Sequence, residues 1–207
     1  MGGAGEPPLE RAVVLASASP RRHALLAEAG VRFRIEPADV DETMDLSLDA
    51  GAVAEDLALR KATAVARRLG EVDALVLGSD TVVVLGPDGS PDRRFLEKAA
   101  DEAEAREMLR ALSGSRHRVI TGVAVVDGVD GASRVDHEVT WVSMRALAEE
   151  EIAAYVGSGE WRGKAGSYAI QETADRFVVG LEGGGFDNVV GLPVERTLAL
   201  LRGADRS

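Results

Sequence analysis

The sequence contains no cysteine, which rules out disulfides, thiolate metal sites and cysteine nucleophiles and suits a reducing cytoplasm. Aromatic residues make up only 4% of it, too few for the stacking platform on which single-stranded nucleic acid is bound. Basic residues are in deficit. Lys and Arg number 24 against 35 Asp and Glu, a formal net charge of -11, which repels polyanions and argues against a nucleic-acid polymer as partner. Any phosphate-bearing ligand must then be gripped by a local basic cluster. No apolar run approaches the roughly 18 to 20 residues of a membrane span, and the first ten residues lack the basic and apolar regions of a signal peptide. A cytoplasmic chain with no membrane partner is expected. The three histidines His23, His117 and His137 have no metal-ligand spacing, and neither a Gly-x-Ser-x-Gly elbow nor a Walker loop occurs. The glycines between Gly183 and Gly191 lack a dinucleotide-binding context.

What is present is ordinary globular composition, 45% hydrophobic and 29% charged over 207 residues, enough for one substantial core. Residues 1–9, rich in Gly and Pro, read as a disordered extension, and residues 10–203 as a single α/β domain with two lobes around a cleft. The apolar run from Ala12 to Ala16 predicts a buried strand, followed by Ser19 as helix cap and Pro20 at the first helical position. Phe33 and Ile35 alternate with charged residues in a short strand, and a helix is predicted over about Leu48 to Leu69, stopped by Gly70. Ala74 to Leu85 reads as a central strand buried on both faces. Asp101 and Glu104 are spaced as a capping pair for a helix to Leu112. Strands are expected over Val119–Val126, Val135–Met144 and Phe177–Leu181, with helices over Glu149–Val156 and from Pro193 through Leu201. The alternation of types predicts an α/β fold with a mixed sheet flanked by helices.

Three places could carry chemistry. The turn Ser17-Ala18-Ser19-Pro20-Arg21-Arg22 opens a helix whose unpaired N–H groups favour an anion, with serine and arginine donors beside them; read alone, such a turn is more often a capped helix with solvated arginines. Lys61 falls in the same helical arc as Val53, Leu57, Val65 and Leu69, while Arg60 falls on the polar face near Asp56. Such a lysine either snorkels to the rim or reaches into a ligand cleft. Asp80 interrupts an otherwise apolar strand, where a carboxylate is costly unless it is paired, holds a metal or faces a cleft. Glu42, in the acidic run Asp39 to Asp45, can supply a second carboxylate for a hard cation such as Mg²⁺, or simply sit in a solvated loop. Lys98 by itself reads as a solvated lysine.

Together these pieces resemble the Maf family of nucleotide pyrophosphatases. The likeness runs from about Val13 to Leu201 and rests on LASASPRR at Leu15 to Arg22, LRKA around Lys61, GSDTVV around Asp80, EKAADEAEAREMLRALSG from Glu97, KAGSYAIQ from Lys164 and NVVGLP from Asn188. The resemblance implies an elongated α/β protein with a central cleft, similar in fold to inosine triphosphate pyrophosphatases. It implies hydrolysis of a nucleoside triphosphate to the monophosphate and pyrophosphate with a divalent cation, Mg²⁺ or Mn²⁺, and a homodimer. It assigns Asp80 as proton acceptor, Glu42 with Asp80 as metal-binding acids, and Ser17, Arg21, Arg22, Lys61 and Lys98 as phosphate contacts. Arg21, Thr81 and Gln171 stand where the family's substrate choice is set and match the dTTP and UTP branch. The sequence departs from the family pattern at Ala99, in place of Pro, at Trp161 and Gly163 before Lys164, and at Glu172, in place of Gly. Two other readings remain at this point: a nucleotide-binding regulator of septum formation, and a pyrophosphatase of 7-methyl-GTP or other modified nucleotides.

Overall fold

The computed structural model describes residues 9–205. The extension expected over residues 1–9 lies outside the described residues except for Leu9, which packs, partly buried, against a core cluster. The elements run β1 (Ala12–Leu15), α1 (Pro20–Glu28), β2 (Phe33–Ile35), α2 (Ala50–Leu69), β3 (Ala74–Leu85), β4 (Arg94–Leu96), α3 (Glu102–Leu112), β5 (Arg116–Asp127) and β6 (Ser133–Met144). Then follow α4 (Glu149–Ser158), a 3-10 turn over Thr173–Phe177, β7 (Val178–Gly183), α5 (Phe186–Val190) and α6 (Val194–Asp205). The strands form one sheet in the order β2-β1-β3-β5-β6-β7, with β4 also paired to β3. β1 is parallel to β2 and β3, and the other pairings are antiparallel, so the sheet is mixed.

Local chemistry sets the boundaries. Asp49 caps α2 by accepting the Ala52 N–H at 2.8 Å, and Asp101 caps α3 by accepting the Glu104 N–H at 2.9 Å. Glu104 closes the box one residue earlier than expected, on the Ala100 N–H at 2.7 Å. Ser19 stands at the cap position of α1, but its side chain makes no capping bond; the Ser17 hydroxyl accepts the Ser19 N–H instead, at 3.2 Å. The unforeseen elements are short. β4 has three residues and α5 five, too few for a periodic pattern, and Gly183-Gly184-Gly185 before α5 reads as a turn rather than as the approach to a helix. α6 runs on to Asp205, whose carboxylate accepts the Glu10 and Arg11 N–H groups at 3.0 Å and so joins the two ends of the described chain.

Side-chain parity along β3 divides the core and creates the cleft. One face of the sheet carries α2: Val76 packs with Ala58, Ala62 and Val65, and Val82 and Val84 pack with Val53 and Leu57. On the opposite face, Leu75 and Leu77 join Leu26 of α1 and Leu201 of α6 in one apolar cluster. Further along that face, Val83 joins Leu109 of α3 and Ile152 and Tyr155 of α4 in another. Each fully buried aliphatic side chain contributes roughly 1.5–3 kcal/mol. Between the two clusters the same face presents Ser79, Thr81 and Thr121, whose hydroxyls are hydrogen-bonded. Apolar packing is interrupted at this band, and the cleft along β3 is lined from both faces, by Arg22 and Thr81 on this one and by Asp80 and Lys61 on the α2 face.

On the α2 face, two glycines allow the helix to approach closely. A Cβ on Gly78 would meet the Ala58 carbonyl oxygen at 2.2 Å, and one on Gly122 the Ala54 carbonyl oxygen at 2.2 Å. Gly122 is the register partner of Asp80. Because backbone rather than a flexible side chain stands in the way, Gly122→Ala must push α2 off the sheet. The expected result is destabilisation of about 2–3 kcal/mol in denaturant unfolding, with loss of the Lys61 contact to Asp80; unchanged stability would show that α2 is not held at this distance.

Candidate active site

The cleft has a volume of about 450 Å³. Ser17, Arg21, Arg22, Glu42, Lys61, Asp80, Thr81, Lys98 and Gln171 all line it, so residues from six separate stretches of sequence converge on one space.

The turn from β1 to α1 forms one wall. Ser17 is buried, its carbonyl accepts from His23 Nε2 at 2.8 Å, and its hydroxyl accepts from the Ser19 N–H and, at 3.4 Å, from Arg22 Nη1. The Ser17 proton is left for a ligand. Arg22 is pinned at its other nitrogens: Nε donates to the Gly191 carbonyl at 2.8 Å and Nη2 to Thr81 Oγ1 at 3.0 Å. Burial pulls its pKa down against the attraction of Asp80, yet a guanidinium keeps its charge in proteins. The remaining N–H groups make a prearranged fork of the kind that matches phosphate. Arg21 lines the same cleft with no ion pair among the described residues.

The floor is a chain of alternating charge. Lys61 is only 7% exposed and Asp80 9%; the lysine reaches into the cleft rather than snorkelling to the rim, and its ammonium bonds Asp80. The same ammonium meets Glu42 Oε1 at 2.6 Å, and Glu42 Oε2 meets Lys98 Nζ at 2.9 Å. Asp80 is therefore paired, with a lysine, and Lys98 is tied to the acid rather than free in solvent. Arg60 lies on the outer face with Asp56, at 2.9 Å. Burial alone would raise the Glu42 pKa, but the bonds from Lys61 and Lys98 outweigh it and bring it down from 4.5 to about 2.

The third wall is the segment Lys164 to Gln171. It is hung from the strand side by the pairing of Lys98 with Ala165 and by the Gly166 N–H on the Leu96 carbonyl at 2.9 Å. Ala99, where the family pattern has proline, is buried in the adjoining apolar cluster. Gln171 is exposed at the cleft mouth and its side chain has no hydrogen-bond partner among the described residues. Lys164, a buried cleft cation that the sequence marked only as part of a motif, is held by the Glu160 carbonyl and by Glu172 at 2.5 Å. Glu172, the residue that departs from the family pattern, thus has a specific partner.

Asp80 and Glu42 fit a divalent cation. Both carboxylates reach one positive point, the Lys61 ammonium, so a small hard cation can share the same oxygens with water and ligand phosphates completing its shell. The three-donor group among the described residues, Glu55, Asp136 and His137, lies outside this cleft, and its Asp136 is already paired with Arg196 at 2.8 Å. Sequence spacing could not have brought His137 to Glu55, because they meet across α2 and β6.

The site is thus a cleft in an α/β fold, lined by several cations around a paired, buried carboxylate. The chain belongs to the Maf-like protein family, whose sequence model matches residues 12–204. Curated relatives include the dTTP/UTP pyrophosphatase of Pelotomaculum thermopropionicum, 50% identical over 92% of this chain and 95% of the relative. Another is the dTTP/UTP pyrophosphatase of Moorella thermoacetica, 48% identical over 91% of this chain and 93% of the relative. A solved nucleoside-triphosphatase (dITP/XTP pyrophosphatase) from Mycobacterium abscessus aligns at 17% identity over 64% of this chain and 72% of its own, with a TM-score of 0.39, too low for any statement about this chain to rest on it. No helix among the described residues is long and apolar enough to cross a membrane.

The depressed Glu42 pKa fixes a sign. A carboxyl whose folded pKa lies below its unfolded value contributes stability that is fully present above about pH 4.5 and is lost as the pH falls toward 2. Because Glu42 is 45% exposed, solvent screening holds the effect to about 1 kcal/mol or less. Glu42→Gln should therefore lower the thermal midpoint at pH 7 by about 1–4 °C, with the gap narrowing between pH 4.5 and 3. A gap that is constant with pH would assign the loss to packing instead.

Proposed function

We propose that this protein is a nucleoside triphosphate pyrophosphatase that hydrolyses dTTP and UTP to the monophosphate and pyrophosphate, clearing excess or non-standard nucleotides from the cytoplasm as a homodimer. The observation that carries the reading is the buried Asp80 carboxylate at the floor of a cleft whose walls supply Arg21, Arg22, Lys61 and Lys98. The names of the relatives point the same way.

In this reading the bond broken joins the α-phosphorus to the oxygen bridging to the β-phosphorus. Water adds its oxygen to the α-phosphorus, pyrophosphate departs with the bridging oxygen, and Asp80 takes the proton that the water loses. The prearranged fork of Arg22 and the free proton of Ser17 hold phosphate oxygens, and the N-terminal N–H groups of α1 favour the same charge. Lys61 exchanges its carboxylate partners for phosphate. A divalent cation, Mg²⁺ or Mn²⁺, would be held by Asp80 and Glu42 and would neutralise charge on the phosphate oxygens when bound. Gln171, which can both donate and accept, and the unpaired Arg21 are placed to meet the base. Thr81 acts through Arg22, because its hydroxyl is already engaged.

Asp80→Asn should fold normally and release pyrophosphate at least about 100-fold more slowly than wild type on a panel of triphosphates that includes dTTP, UTP, GTP and 7-methyl-GTP. Near wild-type turnover in this variant would remove Asp80 from the reaction. A wild-type preference for 7-methyl-GTP would overturn the assignment of base.

A further inference from the structure

Thr121 lies in the middle of β5, carries no charge and is fully buried, at 0% exposure. It stands directly opposite Thr81 across the β3–β5 pairing, and their hydroxyl oxygens are 3.0 Å apart. Thr121 Oγ1 also donates to the backbone carbonyl of Asn188 at 2.8 Å, and Arg22 Nη2 donates to Thr81 Oγ1 at 3.0 Å. A hydroxyl has one proton, a carbonyl has none and a guanidinium nitrogen accepts nothing. The Thr121 proton is therefore committed to Asn188, and Thr121 can only accept in its contact with Thr81. The Thr81 proton fills that contact, so toward Arg22 Thr81 presents lone pairs alone. Donation runs one way, from Arg22 to Thr81 to Thr121 to the Asn188 carbonyl.

We propose that Thr121 is a positioning residue of this cleft: by taking the Thr81 proton it fixes Thr81 as an acceptor and holds the Arg22 guanidinium in register for phosphate. Without Thr121 as acceptor, the Thr81 hydroxyl rotates and can turn its proton toward the cation or the ligand, and the mutual polarisation of the chain is lost. The end of the chain is rigidly seated. Asn188 Nδ2 donates to the Val119 carbonyl at 3.1 Å and to Thr140 Oγ1 at 2.8 Å. The second hold on Arg22 is equally close: the Gly191 carbonyl accepts both Arg22 Nε and, at 3.0 Å, the Ser79 hydroxyl. Gly191 has φ +123°, and a Cβ there would sit 3.3 Å from Thr81 Oγ1 and 3.4 Å from Arg22 Nε, so little room is left for the guanidinium to drift. Thr121→Val keeps the side-chain shape, and the Asn188 carbonyl retains the Gly191 N–H at 3.1 Å, so the substitution orphans no buried backbone oxygen.

The inference rests on the pyrophosphatase reading only for its turnover readout. Wild type, Thr121→Val, Thr121→Ser, Thr81→Val and the double valine variant are compared in two assays, steady-state hydrolysis of dTTP with Mg²⁺ and calorimetric titration with inorganic pyrophosphate. Thr121→Val should raise both the KM for dTTP and the Kd for pyrophosphate about tenfold, with kcat within about threefold of wild type. Thr121→Ser should restore both values, and adding Thr121→Val to Thr81→Val should change them by less than about twofold, since the pair acts as one unit. Wild-type values in Thr121→Val, an equal loss in both backgrounds, or failure of the serine to restore binding would overturn the role. If the wild type releases no pyrophosphate from dTTP, the pyrophosphatase reading fails and the calorimetric series alone decides Thr121. A wild-type chain that binds no pyrophosphate removes the phosphate grip and this role with it.

Discussion

A carboxylate buried in the middle of a sheet is the constraint around which this protein is arranged. Asp80 is tolerated in β3 because Lys61 is brought to it from α2, and Lys61 arrives because Gly78 and Gly122 let the helix approach where any Cβ would strike its backbone. Lys61 also keeps Glu42 as a second partner, so neutralising Asp80 alone does not strand the buried ammonium. Glu42 and Lys98 extend the pair outward to solvent, so the floor is neutral in sum and strongly charged in detail. A triphosphate with its divalent cation is suited to such a floor, since the phosphates can take over Lys61 while the cation takes over the carboxylates. Charges then change partners without being stranded.

The same economy explains how a chain of net charge -11 can receive a polyanion. Five of its cations, Arg21, Arg22, Lys61, Lys98 and Lys164, line one cleft. There the polar band of Ser79, Thr81 and Thr121 anchors Arg22 from below, and the turn closed by His23 and Ser17 anchors it from the side. The wall from Lys164 to Gln171 adds a cation already satisfied by Glu172. In the proposed reading, phosphate recognition sits on the rigid layers of the fold, while the exposed Gln171 and Arg21, which has no ion pair among the described residues, are the groups at the cleft left to meet a base.

Much of this was legible from residue patterns, and the rest failed for identifiable reasons. The apolar run from Ala74 to Leu85 marked the central strand to the residue, and Asp80 stood out because it broke that run. The helical arc put Lys61 among apolar neighbours, although arc position alone could not decide between rim and cleft. Spacing alone leaves Glu42 between a metal ligand and a solvated loop residue and reads Lys98 as solvated, because only the tertiary fold makes these residues, 56 apart, partners. Ser19 holds the cap position without a capping bond, because the Ser-Pro signal does not reveal that Ser17, two residues earlier, takes its amide. Thr121 was invisible: an uncharged residue in an apolar strand gains meaning only from its register with Thr81.

The central claim is that this cleft holds a triphosphate so that water activated at Asp80 attacks the α-phosphorus. Hydrolysis of dTTP in oxygen-18-labelled water, with the products separated and weighed by mass spectrometry, tests it most directly. The account predicts one labelled oxygen in dTMP and none in the pyrophosphate released. Label in pyrophosphate, or release of orthophosphate in its place, would contradict it.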